Sequence, residues 1–189
     1  YYYCIFIVVV ESKQICPIPQ ILQERRINKV SVTIREATFT DAELLAQTRV
    51  AFIIDDMRNE NDMILTDSDK TTLLDRNREY FNQTLSDNTF MAFLAFDESE
   101  LVATSGLSFY QVAPAYDCPD GKIAIILNIY TVSSHRKLGI STKLVALTLK
   151  RAQELGYRKI KLNASHMGRS LYEKFGFISE PDEMVFYSK

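Results

Sequence analysis

Alternating, helical and continuous apolar patterns follow one another along the chain, and each predicts its own element. Val30–Arg35 alternates with a period of two and predicts a short first strand. Thr40-Asp41-Ala42-Glu43 reads as a capping box, with Phe39 and Leu44 at the hydrophobic-staple positions. Leu44, Leu45, Thr48 and Phe52 then recur at helical spacing. A polar, acidic stretch from Asp55 to Asp69 connects to a second helix over Lys70–Ser86, with Leu74, the stem of Arg78, Phe81 and Leu85 on one face. Thr89–Phe96 is a dense apolar strand, and Asp97-Glu98-Ser99-Glu100 turns it into Leu101–Tyr110.

The turn-forming stretch Pro114–Gly121 leads to Lys122–Val132, which is β-branched and apolar on both faces and therefore predicts a central buried strand. Ser141–Leu155 reads as a helix with Leu144, Leu147 and Leu155 on one side, stopped by Gly156. Tyr157–Asn163 is a strand parallel to the central one, because a helix joins the two. A short helix Met167–Phe175 ends at Gly176, and a hairpin of Phe177–Ser179 and Met184–Tyr187 turns at Pro181-Asp182. The order β, α, α, β, β, β, α, β, α, β, β predicts a mixed α/β domain, with no internal repeat.

Residues 1–29 do not fit this pattern. Their opening apolar run, YYYCIFIVVV, is ten residues long, and spanning a bilayer takes about twenty. No basic region precedes the run and no small-residue cleavage site follows it, so it does not read as a signal peptide. We expect this segment to be upstream sequence read in frame. Glu24-Arg25-Arg26 can be encoded by a purine-rich stretch like a ribosome-binding site, with Val30 as a GTG start. A genuine extra strand plus linker is the alternative. The domain proper is expected to run over residues 30–189.

Composition narrows the function. At 189 residues, 47% apolar and 24% charged, the chain has the makings of one folded domain. A net charge of −2 argues against a nucleic-acid binder with a basic surface. Cys4, Cys16 and Cys118 are too few and scattered for a disulfide framework or a structural zinc site, which points to a reducing, cytoplasmic compartment and no metal. No dinucleotide turn, phosphate-loop motif, zinc-protease helix or nucleophile elbow can be written.

The informative block is Ile129–Ser141, IYTVSSHRKLGIS, where a buried strand ends, a basic loop follows and a helix begins. Helix N-termini offer unpaired N–H groups and a positive dipole end to anions. Gly139 lets a ligand approach the backbone, Ser141 keeps the first turn open, and Arg136 and Lys137 add charge. From Arg136 to Lys161 eight Lys/Arg face one acid, a net of +7 in an acidic chain, which suggests an anionic cofactor.

The segment R-x-x-G-x-S at Arg136–Ser141 resembles the signature of the GCN5-related N-acetyltransferase (GNAT) superfamily, and NASHMGRSLYEKFGF at Asn163–Phe177 resembles its second signature. The element order is also that fold. The resemblance covers about Val30 to Lys189. It implies a mixed, mostly antiparallel twisted sheet with a splayed parallel pair in the middle and helices on both faces. It implies acetyl-CoA as acyl donor, with its pyrophosphate on Arg136, Lys137, Leu138, Gly139, Ile140, Ser141 and Thr142. The pantetheine arm would pair with Tyr130, Thr131 and Val132, whose N–H groups can polarise the thioester carbonyl, and Asn163 would bond the same arm. Tyr172 matches the family's proton donor to the departing thiolate. Many members place a Glu on the central strand as base; this chain has Asn128 near there, which cannot take a proton. Asp117, Asp120 and Glu183 remain as candidates, each also readable as a turn residue. Cys118 reads as a loop thiol, and His135 and His166 as surface residues beside the two motifs.

The resemblance favours an enzyme that acetylates a primary amine of a small molecule or peptide by direct attack in a ternary complex. A non-catalytic acyl-CoA-binding module on the same fold is the alternative, and a nucleic-acid binder is weakest, since aromatics do not interleave the basic run. Asp55–Asp69, with six acids against Arg58, a net of −5, suggests a cationic acceptor. No membrane partner is expected. The oligomeric state is left open, a homodimer being one option.

Overall fold

The structure, a computed structural model, describes residues 31–60, 64–180 and 184–187, with the side chains of 56–60 outside that description. The expectations for residues 1–29, Asp62, the Pro181-Asp182 turn and Glu183 therefore fall outside the described residues. The elements are β1 (Val32–Glu36), α1 (Ala42–Glu60), α2 (Asp67–Ser86), β2 (Phe90–Asp97), β3 (Glu100–Gln111), β4 (Lys122–Thr131), α3 (Ile140–Glu154), β5 (Lys159–Leu162) and α4 (Arg169–Lys174). The five strands form one sheet in chain order. The first three pairings are antiparallel; β4 and β5 are parallel, as a helical crossover between them requires.

Both faces of the sheet are covered, which is why its strands read as continuous apolar runs. On one face Phe90, Ala92 and Leu94 of β2 pack with Ala42, Leu45 and Ala46 of α1 and Phe81 of α2. On the other, Met91, Leu107, Ala124 and Ile126 pack under Val145, Leu149 and Ala152 of α3. Ala95, Val102 and Ala103 lie against Ile140 and Leu144, at the end of α3 nearest the basic loop. Gly106 is dictated by close approach: a Cβ there would lie 2.5 Å from the Phe90 ring.

Several expectations are corrected. The first cap lies two residues earlier than Thr40. The Asp41 carboxylate accepts from the Thr38 N–H at 2.7 Å and the Thr38 hydroxyl at 2.9 Å, and takes a bidentate pair from Arg35 at 2.7 Å on each oxygen. The Arg35 guanidinium holds the Asp41 carboxyl well below the usual range. Glu43, rather than reaching back, pairs with Arg78 and joins α1 to α2, and Phe39 is exposed rather than stapled. Helix α1 runs on to Glu60, because Ile53–Glu60 contains neither Gly nor Pro to stop it. Asp55 thus belongs to a helix rather than to a connection. Helix α2 begins at Asp67, with the Thr66 hydroxyl accepting from the Asp69 N–H. Leu147 and Leu155 are exposed, since the buried stripe of α3 runs through Ile140, Leu144, Val145, Thr148, Leu149 and Ala152.

The C-terminal hairpin is also corrected: residues 177–180 and 184–187 are in no strand. The Phe177 N–H bonds the Tyr172 carbonyl at 3.2 Å, closing the end of α4, and its ring packs edge-on to Tyr172 instead of extending the sheet. Met184, Val185, Phe186 and Tyr187 are exposed. Among the described residues, no helix is long and apolar enough to cross a membrane.

Candidate active site

The two halves of β4 differ. Ile123–Ile126 pair with Lys159–Leu162 of β5, whereas Leu127–Thr131 continue along β3 alone, so the parallel pair parts at Leu127. A bulge opens the free half. Gly106 faces Leu127 and Thr104 faces Tyr130, leaving Asn128 and Ile129 opposite Ser105 alone. Asn128 takes the left-handed conformation at φ 53°, which Asn tolerates better than other residues with a side chain. Its carbonyl accepts from the buried Thr104 hydroxyl at 2.8 Å. The residue is 4% exposed, and its Nδ2 has no hydrogen-bond partner among the described residues.

After β4 the chain makes a single 3-10 turn, Ser133–His135, and enters α3 through Lys137 at φ 64° and Gly139 at φ 79°. A left-handed Gly139 places the first-turn amides of α3 at the mouth of the parted strands without a side chain over them. Two hydroxyl pairs fix this helix to the sheet: Thr131 with Ser141 at 2.8 Å, and Ser105 with Thr148 at 2.8 Å in the interior. Ile140 is buried, Leu138 packs beneath the helix start, and Thr142 is half-buried.

Arg136 does not point its charge at the helix start. Its Nε donates to the Thr131 carbonyl at 2.9 Å, its Nη2 to Asp55 of α1 at 2.8 Å, and its guanidinium lies 5.8 Å from the Tyr130 ring centroid. The Tyr130 hydroxyl donates to the same Asp55 carboxylate at 3.0 Å, and its ring meets Phe52 edge-on. Burial first, and then Asp55, push the Tyr130 phenol above its usual range. Within Tyr130–Val132, besides the ladder to β3, the Thr131 carbonyl is taken by Arg136 and the Val132 N–H by the Val102 carbonyl at 2.9 Å.

Other residues of the basic run also have partners. Lys159 pairs with Asp117, and Lys150 and Arg151 with Glu154. Among the described residues Lys137, Lys143, Arg158 and Lys161 make no ion pair, so the positive field rests chiefly on these four.

Tyr172 sits on α4 among Phe175, Phe177 and Leu171, and burial alone raises its pKa. Asn163 is exposed, one residue beyond β5. His166 is exposed as expected. His135 is held more firmly than a surface residue, with Nε2 3.1 Å from Asp97 and Nδ1 2.9 Å from the Ser134 hydroxyl. Asp117 is tied to Lys159, whose ammonium lowers its pKa; Asp120 accepts from the Lys122 N–H at 3.1 Å, as a turn residue does. Cys118 is buried against Asp120 and the Lys122 carbonyl. The sequence places Asp55 only in the acidic stretch beside a cationic acceptor; its bonds to Tyr130 and Arg136 were not foreseen, though its place three positions after Phe52 puts both on one helix face against Tyr130. Among the described residues no group of three His, Cys, Asp or Glu is arranged to hold a metal.

This donor set suits a ligand with a pyrophosphate next to an extended arm: helix-start amides behind a left-handed glycine, beside a strand with one edge unpaired. The site is a mixed sheet whose parallel pair parts where a helix begins. The Acetyltransferase (GNAT) family model matches residues 54–177, and the chain belongs to that family. Among solved structures, the chain is similar to one described as a predicted acetyltransferase with acetyl-CoA from Clostridium acetobutylicum. Identity is 28%, with 82% of this chain and 96% of that one covered and a TM-score of 0.74. A GCN5-related N-acetyltransferase from Ralstonia eutropha JMP134 shares the fold at 24% identity over 83% of this chain and 98% of its own, TM-score 0.72. A glucosamine-6-phosphate N-acetyltransferase from Arabidopsis thaliana shares it at 18% identity over 84% and 99%, TM-score 0.59. No curated protein matches the chain.

Proposed function

We propose that the protein is an acetyl-CoA-dependent N-acetyltransferase that acts on a primary amine of a small molecule or peptide in a ternary complex, within the cytoplasm and over residues 30–189. The observation that carries this is the junction of β4 and α3, where a bulged strand leaves β5 beside a helix opened by Gly139. In this reading Arg136–Thr142 receive the pyrophosphate through backbone amides and the nearby Lys137. The edge of Tyr130–Val132 that no described strand pairs with, where Arg136 holds the Thr131 carbonyl, receives the pantetheine arm together with Asn163.

The acceptor nitrogen attacks the thioester carbon, the C–N bond forms, and the C–S bond breaks. Tyr172 donates its proton to the departing sulfur; a phenol kept protonated by burial is a suitable donor to a thiolate. The extra proton on nitrogen leaves to water, and Tyr172 is reprotonated from solvent. No side chain is assigned as base, since Asn128 is an amide and Asp117 and Asp120 are engaged elsewhere.

A cationic acceptor is proposed from the net −5 of residues 55–69 as a whole. Of those acids, Asp55, Asp67 and Asp69 already bond Arg136, Lys70 and Thr66. The amide at position 128 in place of a carboxylate is what favours the second reading, a non-catalytic acyl-CoA-binding module. A screen of amine classes with acetyl-CoA, read by free thiol release, separates the two. Acetyl-dependent release with an amine supports the enzyme. A melting shift with acetyl-CoA but no thiol release with any amine supports the module. No shift at millimolar acetyl-CoA overturns both.

A further inference from the structure

Arg136 sits where the ligand of the acyltransferase reading must go. Its Nε holds the Thr131 carbonyl at 2.9 Å, on the edge of β4 that no described strand pairs with. Its Nη2 holds Asp55 of α1 at 2.8 Å, and the Tyr130 hydroxyl bonds the same carboxylate oxygen at 3.0 Å. One arginine thus covers the strand edge and neutralises a carboxylate on α1. An arm that pairs with Thr131 and a pyrophosphate at the start of α3 would both draw this side chain off. Asp55 would then keep the Tyr130 hydroxyl and lose the guanidinium. The group that takes its place is narrowed by charge and by chemistry. Both bonds fall on Oδ2 and the side chain is 34% exposed, so a solute reaches the carboxylate. Residues 55–69 carry a net −5, so the solute they attract is a cation. A nitrogen held against a carboxylate stays protonated, because opposite charge favours the charged form. An ammonium has no lone pair and cannot attack a thioester, so the nitrogen held at Asp55 is not the one that is acetylated.

We infer that Asp55 seats a second, non-reacting ammonium of the acceptor in exchange for Arg136, whose guanidinium passes to the CoA pyrophosphate. This rests on the acyltransferase reading above and narrows the acceptor from a cationic amine to one that carries two basic nitrogens, one held and one acetylated. The exchange also couples the two substrates. The ammonium frees Arg136 for CoA, and CoA frees Asp55 for the ammonium, so each raises the affinity of the other by the same factor. A pair as exposed as Asp55 and Arg136 sets that factor at roughly 2–5-fold.

The test uses the full chain, with butane-1,4-diamine as the probe and butane-1,4-diol as its neutral counterpart, at constant ionic strength. Calorimetry gives the Kd of CoA with and without each probe, and the Kd of the diamine with and without CoA. Both are measured on wild type, Asp55→Asn and Arg136→Ala. In wild type the diamine should tighten CoA by roughly 2–5-fold, and the diol should leave it unchanged. Without CoA, Arg136→Ala should bind the diamine more tightly than wild type does, by about the same factor, and CoA should then add nothing. Asp55→Asn should show no coupling. With acetyl-CoA, thiol release by wild type should be faster with the diamine than with n-butylamine, and the ratio of their kcat/KM values should fall by roughly 2–5-fold in Asp55→Asn. A role of Asp55 confined to steadying α1 would not move that ratio. Should Asp55→Asn not fold, Arg136→Ala and the diol decide the matter in the same direction.

CoA affinity that the diamine leaves unchanged or weakens in wild type, an equal effect of the diol, or coupling that survives in either folded variant overturns the inference alone. Thiol release no faster with the diamine than with n-butylamine also overturns it. Failure of wild type to bind CoA overturns the acyltransferase reading, and the inference falls with it.

Discussion

The two halves of β4 are consecutive in sequence and opposite in character. Ile123–Ile126 are paired on both edges, and Ile123, Ala124 and Ile126 are buried. Leu127–Thr131 have β3 on one edge only, carry a bulge and a left-handed residue, and spend their polar groups on tethers to α1, α3 and the basic loop. The first half has few ways to rearrange, because every apolar contact and ladder bond would be lost together. The second has its backbone held by side chains, and among the described residues no strand pairs with its other edge, where Arg136 alone holds the Thr131 carbonyl. A single strand thus anchors the fold at one end and presents a binding edge at the other, and the bulge at Asn128 is the boundary.

The largest expected effect lies on the presenting side. Tyr172→Phe should lower kcat by about 10²–10⁴-fold, the usual range for a general acid, with little change in the Kd of acetyl-CoA. Wild-type kcat, with chemistry shown to be rate-limiting, would make Tyr172 a packing residue among Phe175 and Phe177 and erase the contrast. Next comes the anchoring side. Ile126→Ala should cost about 2–5 kcal/mol in denaturant unfolding, since the side chain is buried beneath α3, while the folded fraction keeps its affinity for acetyl-CoA. A small loss of stability, or a large loss of affinity in the folded fraction, would show that the halves are not separable.

What the sequence disclosed follows the same division. The anchoring half was legible because Ile123–Ile126 is apolar on both faces, as a strand covered on both sides must be, and α3 was legible as a helix though not in its buried stripe. The loop was legible because Gly139 and its basic neighbours mark a helix start. The hidden parts depend on partners distant in the chain. Asp55 and Arg136 are 81 positions apart, and nothing local in either marks the other. The bulge is a mismatch between β3 and β4, so neither strand shows it alone. Leu147 and Leu155 fit a helical period yet lie off the buried stripe. In the C-terminal segment the sequence predicted a hairpin turning at Pro181-Asp182, but Phe177 is drawn onto Tyr172 and the end of α4. Tertiary packing decides such short segments over local pattern.

A smaller effect is expected at Gly139. Its φ of 79° disfavours a β-branched residue by about 1–2 kcal/mol, and a Val side chain would stand over the first-turn amides of α3. Gly139→Val should therefore melt slightly lower without ligand and lose the stabilisation that acetyl-CoA gives wild type, ~2.7 kcal/mol at a hundred times Kd. A melting shift equal to wild type would move the anion site away from this helix start.

The smallest expected effect probes the tether between α1 and the loop. Asp55 and Arg136 have side chains 34% and 39% exposed, so their pairing contributes about 0–1 kcal/mol to stability. Its consequence for binding is larger than that figure suggests, because the pair draws the Arg136 guanidinium towards Tyr130 and α1 instead of towards the α3 start. Asp55→Asn removes the charge while its Oδ1 can still accept from the Tyr130 hydroxyl. The variant should unfold within about 1 kcal/mol of wild type. It should bind CoA roughly 2–5-fold more tightly, a gain of about 1 kcal/mol or less, as Arg136 is released to the anionic ligand. The gain should shrink as salt rises, since it is a charge effect at an exposed site. Calorimetry on wild type, Asp55→Asn, Arg136→Ala and the double variant closes the cycle. Asp55→Asn should add nothing once Arg136 is gone. If Asp55→Asn instead weakens CoA binding in the presence of Arg136, the carboxylate positions the guanidinium for the ligand, and the tether belongs to the presenting half of β4 as part of its binding edge.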